Sequence, residues 1–222
     1  PAARKFYDAK GFVIGSVTAT EHSVMCAGGK EDEIQTFLDL MRKFPASILS
    51  IVSDTWDLWN VCTNTVKTLK PTIMRRGLYV DNEGIIYTPI EEYDENWKVI
   101  DTYFRNNNGE KISDTIIQNN IKSGLITYTP GKVVIRPDSG DPVEIVCGRQ
   151  FSGDMLKADY MPLSKDKGVV ELLWEVFGGT ESSTGYKVLD EHIGCIYGDG
   201  ITIERCTNIL NGLENKGFAS TN

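Results

Sequence analysis

The stretch SILSIVSD at residues 47–54 contains a short apolar run that ends in a serine and an aspartate. An apolar run of this length predicts a strand that is buried on both faces. The residues that follow, 54–69, predict a helix whose N-cap is Ser53 or Asp54. The stretch therefore predicts a strand, a polar loop and a helix, which is the repeating unit of a parallel α/β fold.

The same unit recurs on both sides of this stretch. The predicted strands are residues 11–19, 47–52, 132–135 and 194–197, and the predicted helices are 30–44, 54–69, 168–177 and 202–216. The last helix carries Ile203, Cys206, Ile209, Leu210 and Leu213 on one face. Residues 148–165 show no regular pattern. Repeated units of this kind predict an α/β fold with a parallel sheet or barrel.

Residues 71–128 interrupt this alternation. The β-like pieces GLYV and IIYTPI flank Asp-Asn-Glu-Gly at 81–84, which predicts a hairpin turn. Residues 105–109 are typical of a loop, and 113–122 predict a short helix. We interpret 71–128 as a β-rich insertion in one α/β unit that spans residues 1–222. Four units are too few to close an eight-stranded barrel of roughly 250 residues.

Charge and hydropathy exclude several classes of partner. The formal net charge is −8, whereas generic nucleic-acid binding requires a basic face. No apolar run approaches the roughly 20 residues of a membrane helix. Residues 1–10 are polar, so we expect no signal peptide. The sequence therefore favours a protein that binds neither nucleic acid nor membrane.

The cysteines indicate a reducing compartment. The chain has five, an odd number, with no CxxC pair. This pattern disfavours both a disulfide framework and a structural zinc site. We predict reduced thiols in a cytoplasmic protein.

Polar residues follow each predicted strand of the α/β unit. They are Thr20-Glu21-His22-Ser23, Ser53-Asp54, Arg136-Pro137-Asp138-Ser139-Gly140 and Gly198-Asp199-Gly200. Ligands of parallel α/β folds bind beyond the carboxyl ends of the strands. A carboxylate after all four strands, with a histidine and an arginine among them, favours a ligand site over simple helix capping.

The residue types at these strand ends suit a sugar phosphate. Carboxylates accept hydrogen bonds from ribose hydroxyls, and Arg136 offers a planar cationic fork for phosphate oxygens. Gly140, Gly198 and Gly200 allow the backbone to approach a ligand closely. Carboxylates can also hold Mg2+ together with water and substrate phosphates. These features do not single out one reaction.

Several segments match a known family in the same order along the chain. Glu21-His22-Ser23 follows a predicted strand, and SIVSDTWD at 50–57 resembles the family segment Val-Ser-Asp-Ser-Tyr-Asp. IRPDSGDP at 135–142 differs at one position from Ile-Arg-Pro-Asp-Ser-Gly-Asn-Pro, while GYKVL at 185–189 and Gly-Asp-Gly at 198–200 complete the matches. The chain thus resembles the central part of the nicotinamide phosphoribosyltransferases, which are type II phosphoribosyltransferases related to the nicotinate enzymes.

The resemblance implies a partial (β/α) barrel and a glycosyltransferase activity in NAD biosynthesis. Nicotinamide and phosphoribosyl pyrophosphate (PRPP) would give nicotinamide mononucleotide and pyrophosphate, with Mg2+ beside the pyrophosphate and ATP as an activating co-substrate. The resemblance also implies a homodimer. His22 would be the histidine that ATP phosphorylates, Glu21 would orient it, and Asp54 would lie close to both His22 and the ribose. Asp138 would complete the catalytic set.

The resemblance also implies a set of substrate-binding residues. Arg136 and Asp138 would contact the nicotinamide and ribose side of the ligand, and Asp199 would contact the ribose. Ser16 and Ser50 would line the pocket for the amide group. The remaining members of the set are Ser139, Gly140, Gly198 and Gly200. His192 lies outside the matched motifs and is predicted to be a surface residue.

Further family features fall outside the matched stretch. They include a ring-binding aromatic residue, an arginine, an aspartate that reads the amide, and a Gly-Ser-Gly-Gly phosphate loop. We therefore expect N- and C-terminal parts beyond this chain, and weak binding or no turnover from the chain alone. Three alternatives stay open: a nicotinate phosphoribosyltransferase, a non-catalytic fragment that keeps only the fold, and an unrelated barrel enzyme with a phosphosugar site.

Overall fold

A computed structural model of the protein describes residues 16–149 and 163–220. The strands are β1 Thr18–Ala19, β2 Ile48–Val52, β3 Gly77–Asp81, β4 Ile86–Tyr93, β5 Val99–Asn106, β6 Lys111–Ser113, β7 Ile126–Pro130, β8 Lys132–Arg136, β9 Gly179–Glu181, β10 Lys187–Leu189 and β11 Ile193–Cys195. The helices are α1 His22–Cys26, α2 Glu33–Lys43, α3 Leu58–Asn60, α4 Val66–Thr68, α5 Lys70–Arg75, α6 Asp114–Lys122, α7 Pro142–Cys147, α8 Ser164–Lys167, α9 Val169–Phe177 and α10 Ile203–Asn215, with a π-helix at Val61–Thr65 between α3 and α4. Residues 11–15 of the first predicted strand and 150–162 of the predicted irregular segment lie outside the described residues.

The α/β unit is built on a four-stranded parallel sheet with the order β1-β2-β8-β11. Leu49 of β2 is aligned with Val133 of β8, which is aligned with Ile193 of β11. The four predicted strands are thereby confirmed as neighbours in one parallel sheet. Their carboxyl ends meet at one edge, which we call the carboxyl edge.

The apolar strands are buried because helices cover one face of this sheet. Leu49, Ile51, Val133, Ile135 and Ile193 have no exposed side-chain surface. They belong to one core with residues of α2 and α9, including Phe37, Met41, Leu172 and Leu173. Burial of one such aliphatic side chain stabilises the fold by roughly 1.5–3 kcal/mol.

The helix predicted for residues 54–69 begins later than the sequence indicated. Its first turn is α3, and the N-cap is Asp57, whose Oδ1 accepts hydrogen bonds from the backbone N–H groups of Trp59 and Asn60 at 3.1 Å each. The predicted caps Ser53 and Asp54 were wrong, because Asp57 fills that role. Asp54 is therefore free to bond elsewhere.

The β-rich segment forms a separate antiparallel sheet with the order β6-β5-β4-β3-β7. The predicted turn at 81–84 is confirmed, since β3 pairs with β4 and Gly84 adopts the left-handed φ of +83° that favours glycine. Residues 71–75 belong to helix α5, so the sheet itself begins at Gly77 and continues to Pro130. Tyr79, Phe104, Ile117 and Ile126 form its own small core.

Arg76 fastens the two sheets together. Its side chain is 2% exposed and lies between helix α5 and strand β3. The guanidinium donates hydrogen bonds to four backbone carbonyls of the α/β unit, namely those of Phe44, Ala46 at 3.0 Å, Ser47 at 2.7 Å and Lys132 at 3.0 Å. Burial lowers the pKa of Arg76 to about 10, so the group stays cationic at neutral pH.

His192 forms a second link between the sheets, and its predicted surface position was wrong. Its side chain is buried, with Nε2 2.5 Å from the Tyr128 hydroxyl and Nδ1 2.7 Å from Asp190 Oδ1. Tyr128 belongs to β7 and His192 immediately precedes β11. The residue lies at the amino ends of the parallel strands, away from the carboxyl edge.

The last helix has its predicted position, but its apolar face is only partly covered. Leu213 of α10 is buried, whereas Leu210 is 46% exposed and Ile203 is 90% exposed. Within residues 16–149 and 163–220, none of the helices combines the length and the apolar character that crossing a membrane would require.

Candidate ligand site at the carboxyl edge

The carboxyl edge brings His22 next to two aspartates. His22 opens helix α1 just after strand β1, and its Nε2 is 3.7 Å from Asp54 Oδ1 and 4.0 Å from Asp138 Oδ2. These aspartates follow strands β2 and β8. On the other side of the ring, Nδ1 is 3.0 Å from the Thr55 hydroxyl. Three consecutive strands of the sheet thus each contribute a polar side chain to one cluster.

Asp54 ties this cluster to the loop after β8. Its Oδ2 accepts hydrogen bonds from the Asp138 backbone N–H at 2.9 Å and from the Ser139 hydroxyl. Its Oδ1 is buried and has no hydrogen-bond partner among the described residues, and the side chain is only 7% exposed. One carboxylate oxygen therefore organises the loop, while the other faces the imidazole.

Arg136 is held from the strand beside it. Its Nη2 donates a hydrogen bond of 2.5 Å to the backbone carbonyl of Thr20 and lies 3.5 Å from Glu21 Oε2. Thr20 is itself fixed, because its Oγ1 accepts from the Val52 N–H at 2.9 Å. The Arg136 Nε is buried without a hydrogen-bond partner in the described part of the chain. The guanidinium therefore has a fixed direction and unused donor capacity.

Tyr197 connects the end of β11 to the same loop. Its hydroxyl donates to the Gly140 carbonyl at 2.9 Å. Burial raises the pKa of Tyr197, and the carboxylates of Asp199, Asp54 and Asp138 raise it further. The site therefore favours the neutral phenol. Through Tyr197, the end of β11 joins the ends of β1, β2 and β8 in one site.

The predicted substrate-binding residues do not all occupy this cluster. Ser16 is exposed and precedes β1, whereas Ser50 lies within β2 and is 3% exposed. Because Ser50 alternates with Leu49 and Ile51, it points to the opposite face of the sheet from the helix-covered core. Its hydroxyl has no hydrogen-bond partner among the described residues. The Ser50 hydroxyl is therefore a polar atom without a partner among the described residues, two positions before the end of strand β2.

The Gly198-Asp199-Gly200 segment forms the outer part of the site. All three residues are exposed, and the Gly200 carbonyl accepts a hydrogen bond of 2.6 Å from Arg205 at the start of α10. Gly200 has a φ of +59°, which only glycine adopts at low cost. After burial, the Asp199 carboxylate is the largest cause of the raised pKa of Tyr197.

Sequence reasoning singled out neither Thr55 nor Tyr197, and it named Thr20 among the polar residues after the strands without giving it a role. Each stands beside a residue that was singled out, and each follows or ends a predicted strand. The available signal was their position at the carboxyl ends of the strands. What could not be read was that Thr55 would contact His22 across 33 residues of sequence.

The described residues form no metal centre of their own. Among residues 16–149 and 163–220, no group of three or more His, Cys, Asp or Glu side chains is placed to hold a metal ion. The five cysteines are free thiols. Burial raises the pKa of Cys195 to about 12 and that of Cys147 to about 11, so both remain protonated and poorly nucleophilic at neutral pH.

The arrangement defines a polar ligand site at the carboxyl edge of a parallel α/β sheet, which is where such folds bind their ligands. The chain belongs to the nicotinate phosphoribosyltransferase (NAPRTase) family, whose family model matches residues 94–222. Similar curated proteins include the nicotinamide phosphoribosyltransferase of Acinetobacter baylyi, which is 42% identical over 221 residues, or 99% of this chain and 33% of that protein.

A second relative has the same name in another organism. The nicotinamide phosphoribosyltransferase of Mycoplasma pneumoniae is 31% identical over 214 residues, which is 96% of this chain and 34% of that protein. The protein of that name from Xanthomonas campestris pv. campestris is 27% identical over 209 residues, or 93% of this chain and 29% of that protein. The chain thus spans about a third of the length of the curated relatives it matches.

Proposed function

We propose that this chain supplies part of the active site of a nicotinamide phosphoribosyltransferase, which makes nicotinamide mononucleotide and pyrophosphate from nicotinamide and PRPP in NAD biosynthesis. The observation that carries the proposal is the meeting of His22, Asp54, Asp138 and Arg136 at one sheet edge. The names of the relatives support the same activity.

Unused polar atoms favour a bound ligand over a purely structural role. Ser50 Oγ, Asp54 Oδ1 and Arg136 Nε are buried without hydrogen-bond partners among the described residues. Buried polar groups of native proteins normally have partners, and each one left without a partner costs about 1–3 kcal/mol. The lack of hydrogen-bond partners for three such atoms, in or just after two adjacent strands, is explained if a polar ligand supplies the missing hydrogen bonds.

The reaction would be a displacement at the anomeric carbon of the ribose. The pyridine nitrogen of nicotinamide attacks as pyrophosphate leaves, and positive charge develops on the ring oxygen and the anomeric carbon. The carboxylates of Asp138 and Asp199 suit the ribose hydroxyls and this developing charge, while Arg136 suits the nicotinamide side. The protein's contribution is positioning and electrostatic stabilisation, so no covalent bond to ribose is required.

His22 would couple ATP to this reaction as the phosphorylated residue. Its ring is partly exposed, with a side chain 45% accessible, and its Nε2 faces the two aspartates. Ser139 and Gly140 belong to the loop that Asp54 and Tyr197 hold in place. A phosphoryl group on His22 would therefore sit beside the proposed ribose and pyrophosphate position.

Mg2+ would accompany the pyrophosphate as a counter-ion. The carboxyl edge is rich in acidic groups, and a polyanionic substrate needs added positive charge there. The described residues contain no dedicated metal cluster, so the pyrophosphate and water would have to provide most ligands of the ion. For this reason no residue of the chain is assigned as a metal ligand.

Three finer features belong to the same proposal. The parallel sheet would be part of a (β/α) barrel, which agrees with its four parallel strands and with edge strands, β1 and β11, that have no further partner strand among the described residues. The enzyme would be a homodimer in the cytoplasm. The free thiols are consistent with a reducing compartment.

The test measures mononucleotide formation by the natural protein from labelled nicotinamide, and separately from labelled nicotinate, with PRPP, Mg2+ and ATP. Product from nicotinamide alone supports the proposal. Absence of product from both substrates contradicts it and favours a non-catalytic role. The same assay on the 222-residue chain shows whether this third of the relatives' length is sufficient for turnover.

A nicotinate phosphoribosyltransferase is the second candidate. The matching family carries that name, although the relatives described above are named for nicotinamide. Product from nicotinate alone would decide for this candidate. The two enzymes would share the displacement chemistry and differ in whether the pocket accepts an amide or a carboxylate.

A further inference from the structure

The two nitrogens of the His22 ring face different chemical groups. Nδ1 is 3.0 Å from the Thr55 hydroxyl. Nε2 faces Asp54 Oδ1 at 3.7 Å and Asp138 Oδ2 at 4.0 Å. Because the ring side chain is 45% accessible, a ligand that enters between the aspartates meets Nε2. The ring is thus oriented by a neutral hydroxyl on one side and presented to a ligand on the other.

Hydrogen-bond distance decides which nitrogen of the neutral ring carries the proton. The Thr55 hydroxyl lies 3.0 Å from Nδ1, whereas the two carboxylates lie 3.7 and 4.0 Å from Nε2, beyond the length of a normal hydrogen bond. The Thr55 hydroxyl, which can donate or accept, therefore accepts from Nδ1–H. The lone pair of the neutral ring is then on Nε2, the nitrogen that faces an entering ligand.

We propose that Thr55 is a positioning residue that makes Nε2 the reacting nitrogen of His22 and keeps Nδ1 blocked. This inference rests on the proposed function, in which His22 accepts a phosphoryl group. Thr55 has no role in the mechanism proposed above, and the resemblance to the family implies none for it. The hydroxyl is the functional part, because serine would keep the bond and valine would remove it at similar volume.

The phosphoryl transfer can then take place without rotation of the His22 ring. The Nε2 lone pair attacks the terminal phosphorus of a nucleoside triphosphate while the ring proton stays on Nδ1, and the carboxylates of Asp54 and Asp138 face the positive charge that develops on the ring. The N–P bond forms as the bond between that phosphorus and the bridging oxygen breaks, and the nucleoside diphosphate leaves with the electron pair. Nδ1–H donates its hydrogen bond to the Thr55 hydroxyl before and after the transfer.

Nuclear magnetic resonance of the imidazole nitrogens tests the positioning directly. The chain has only two histidines, His22 and His192, so a protein labelled with 15N-histidine gives two ring patterns. At about pH 9, where ordinary histidines are neutral, we expect His22 to be mainly the Nδ1–H tautomer, with that N–H in a hydrogen bond. Thr55→Val should remove the hydrogen-bond shift of Nδ1, and Thr55→Ser should restore it.

His192 provides the control for folding in the same spectrum. Its ring is buried between Tyr128 and Asp190, away from the carboxyl edge, so its signals should be identical in all three proteins. An unchanged Nδ1 signal of His22 in Thr55→Val, with His192 also unchanged, would overturn the inference. A main tautomer with the proton on Nε2 in the unaltered protein would overturn it as well.

The isomer of phosphohistidine gives an independent readout in the natural protein with ATP and Mg2+. We expect phosphate on Nε2 alone, about five- to tenfold slower phosphorylation in Thr55→Val, and near-normal rates in Thr55→Ser. Phosphate on Nδ1 would refute the inference and leave the proposed function intact. No phosphohistidine in the unaltered protein would count against the ATP coupling of the proposed function, while the ring tautomer still decides the role of Thr55.

Discussion

Glu33 is a carboxylate that destabilises the fold when it is charged. It is the first residue of helix α2 and is only 6% exposed. The pKa of Glu33 is raised from 4.5 to about 7, mainly by burial and secondly by the nearby Asp57 carboxylate, while Lys30 partly opposes the shift. Asp57 is the N-cap of helix α3, which follows the Asp54 loop.

The sign of the effect on stability follows from the direction of the shift. The folded protein binds the Glu33 proton more tightly than the unfolded chain does. The stabilising contribution is therefore complete below pH 4.5 and is lost as the pH rises through about 7. The difference between these two pKa values corresponds to roughly 3 kcal/mol.

Replacement of Glu33 by glutamine should remove this penalty, because the amide is neutral at every pH. At about pH 8, we expect Glu33→Gln to raise the free energy of unfolding by up to roughly 3 kcal/mol relative to the unaltered protein. At about pH 4 the carboxyl is protonated in both folded and unfolded states, and the difference between the two proteins should shrink accordingly.

Urea unfolding followed by tryptophan fluorescence at both pH values measures these differences. Glu31→Gln is the matched control, since its carboxylate is exposed in the same segment. The reasoning would be refuted if Glu33→Gln were less stable than the unaltered protein near pH 8, or if the difference between them were equal at both pH values.

Three further predictions concern the sheet junction and the site. Arg76→Met should lower the free energy of unfolding by about 3–5 kcal/mol, because buried carbonyls lose their charged donor. The control Lys98→Met changes an exposed residue and should alter the free energy of unfolding by less than about 0.5 kcal/mol. Urea unfolding of both variants and the unaltered protein measures these differences. Asp138→Ala should abolish mononucleotide formation while circular dichroism remains unchanged, and retained turnover would contradict the site. His22→Ala should remove stimulation by ATP but leave basal transfer, so ATP stimulation that survives in this variant would exclude the phosphohistidine role.

The fold was predictable where local pattern and packing agree. The apolar run at 47–52 and the helical spacing at 30–44 both gave elements close to β2 and α2. The start of the next helix was missed because Ser53, Asp54 and Asp57 are all good N-cap residues, and only tertiary contacts assign Asp54 to the loop after β8. Local sequence cannot resolve such a competition between equivalent caps.

His192 shows a related limit for buried polar residues. A histidine preceded by Asp190 and Glu191 has the local character of surface sequence. Its burial depends on Tyr128, which comes from the other sheet 64 residues away. A contact of this range leaves no periodic signal, because neither partner belongs to a repeating apolar pattern.

The sequence by itself determined the elements and the chemical inventory of this protein. Apolar strands that end in polar residues dictate a parallel α/β sheet, and the order of Glu-His-Ser, Val-Ser-Asp and Arg-Pro-Asp-Ser-Gly indicates its family. Only the tertiary structure decided which polar atoms are already satisfied. In the folded protein, Asp54 Oδ2 accepts a hydrogen bond from the loop after β8, and Asp54 Oδ1 faces His22 Nε2. Thr55 lies beside His22 Nδ1. The physical reason is that a hydrogen bond is fixed by distance and direction in space, and strands that are remote in sequence acquire those only when the sheet forms.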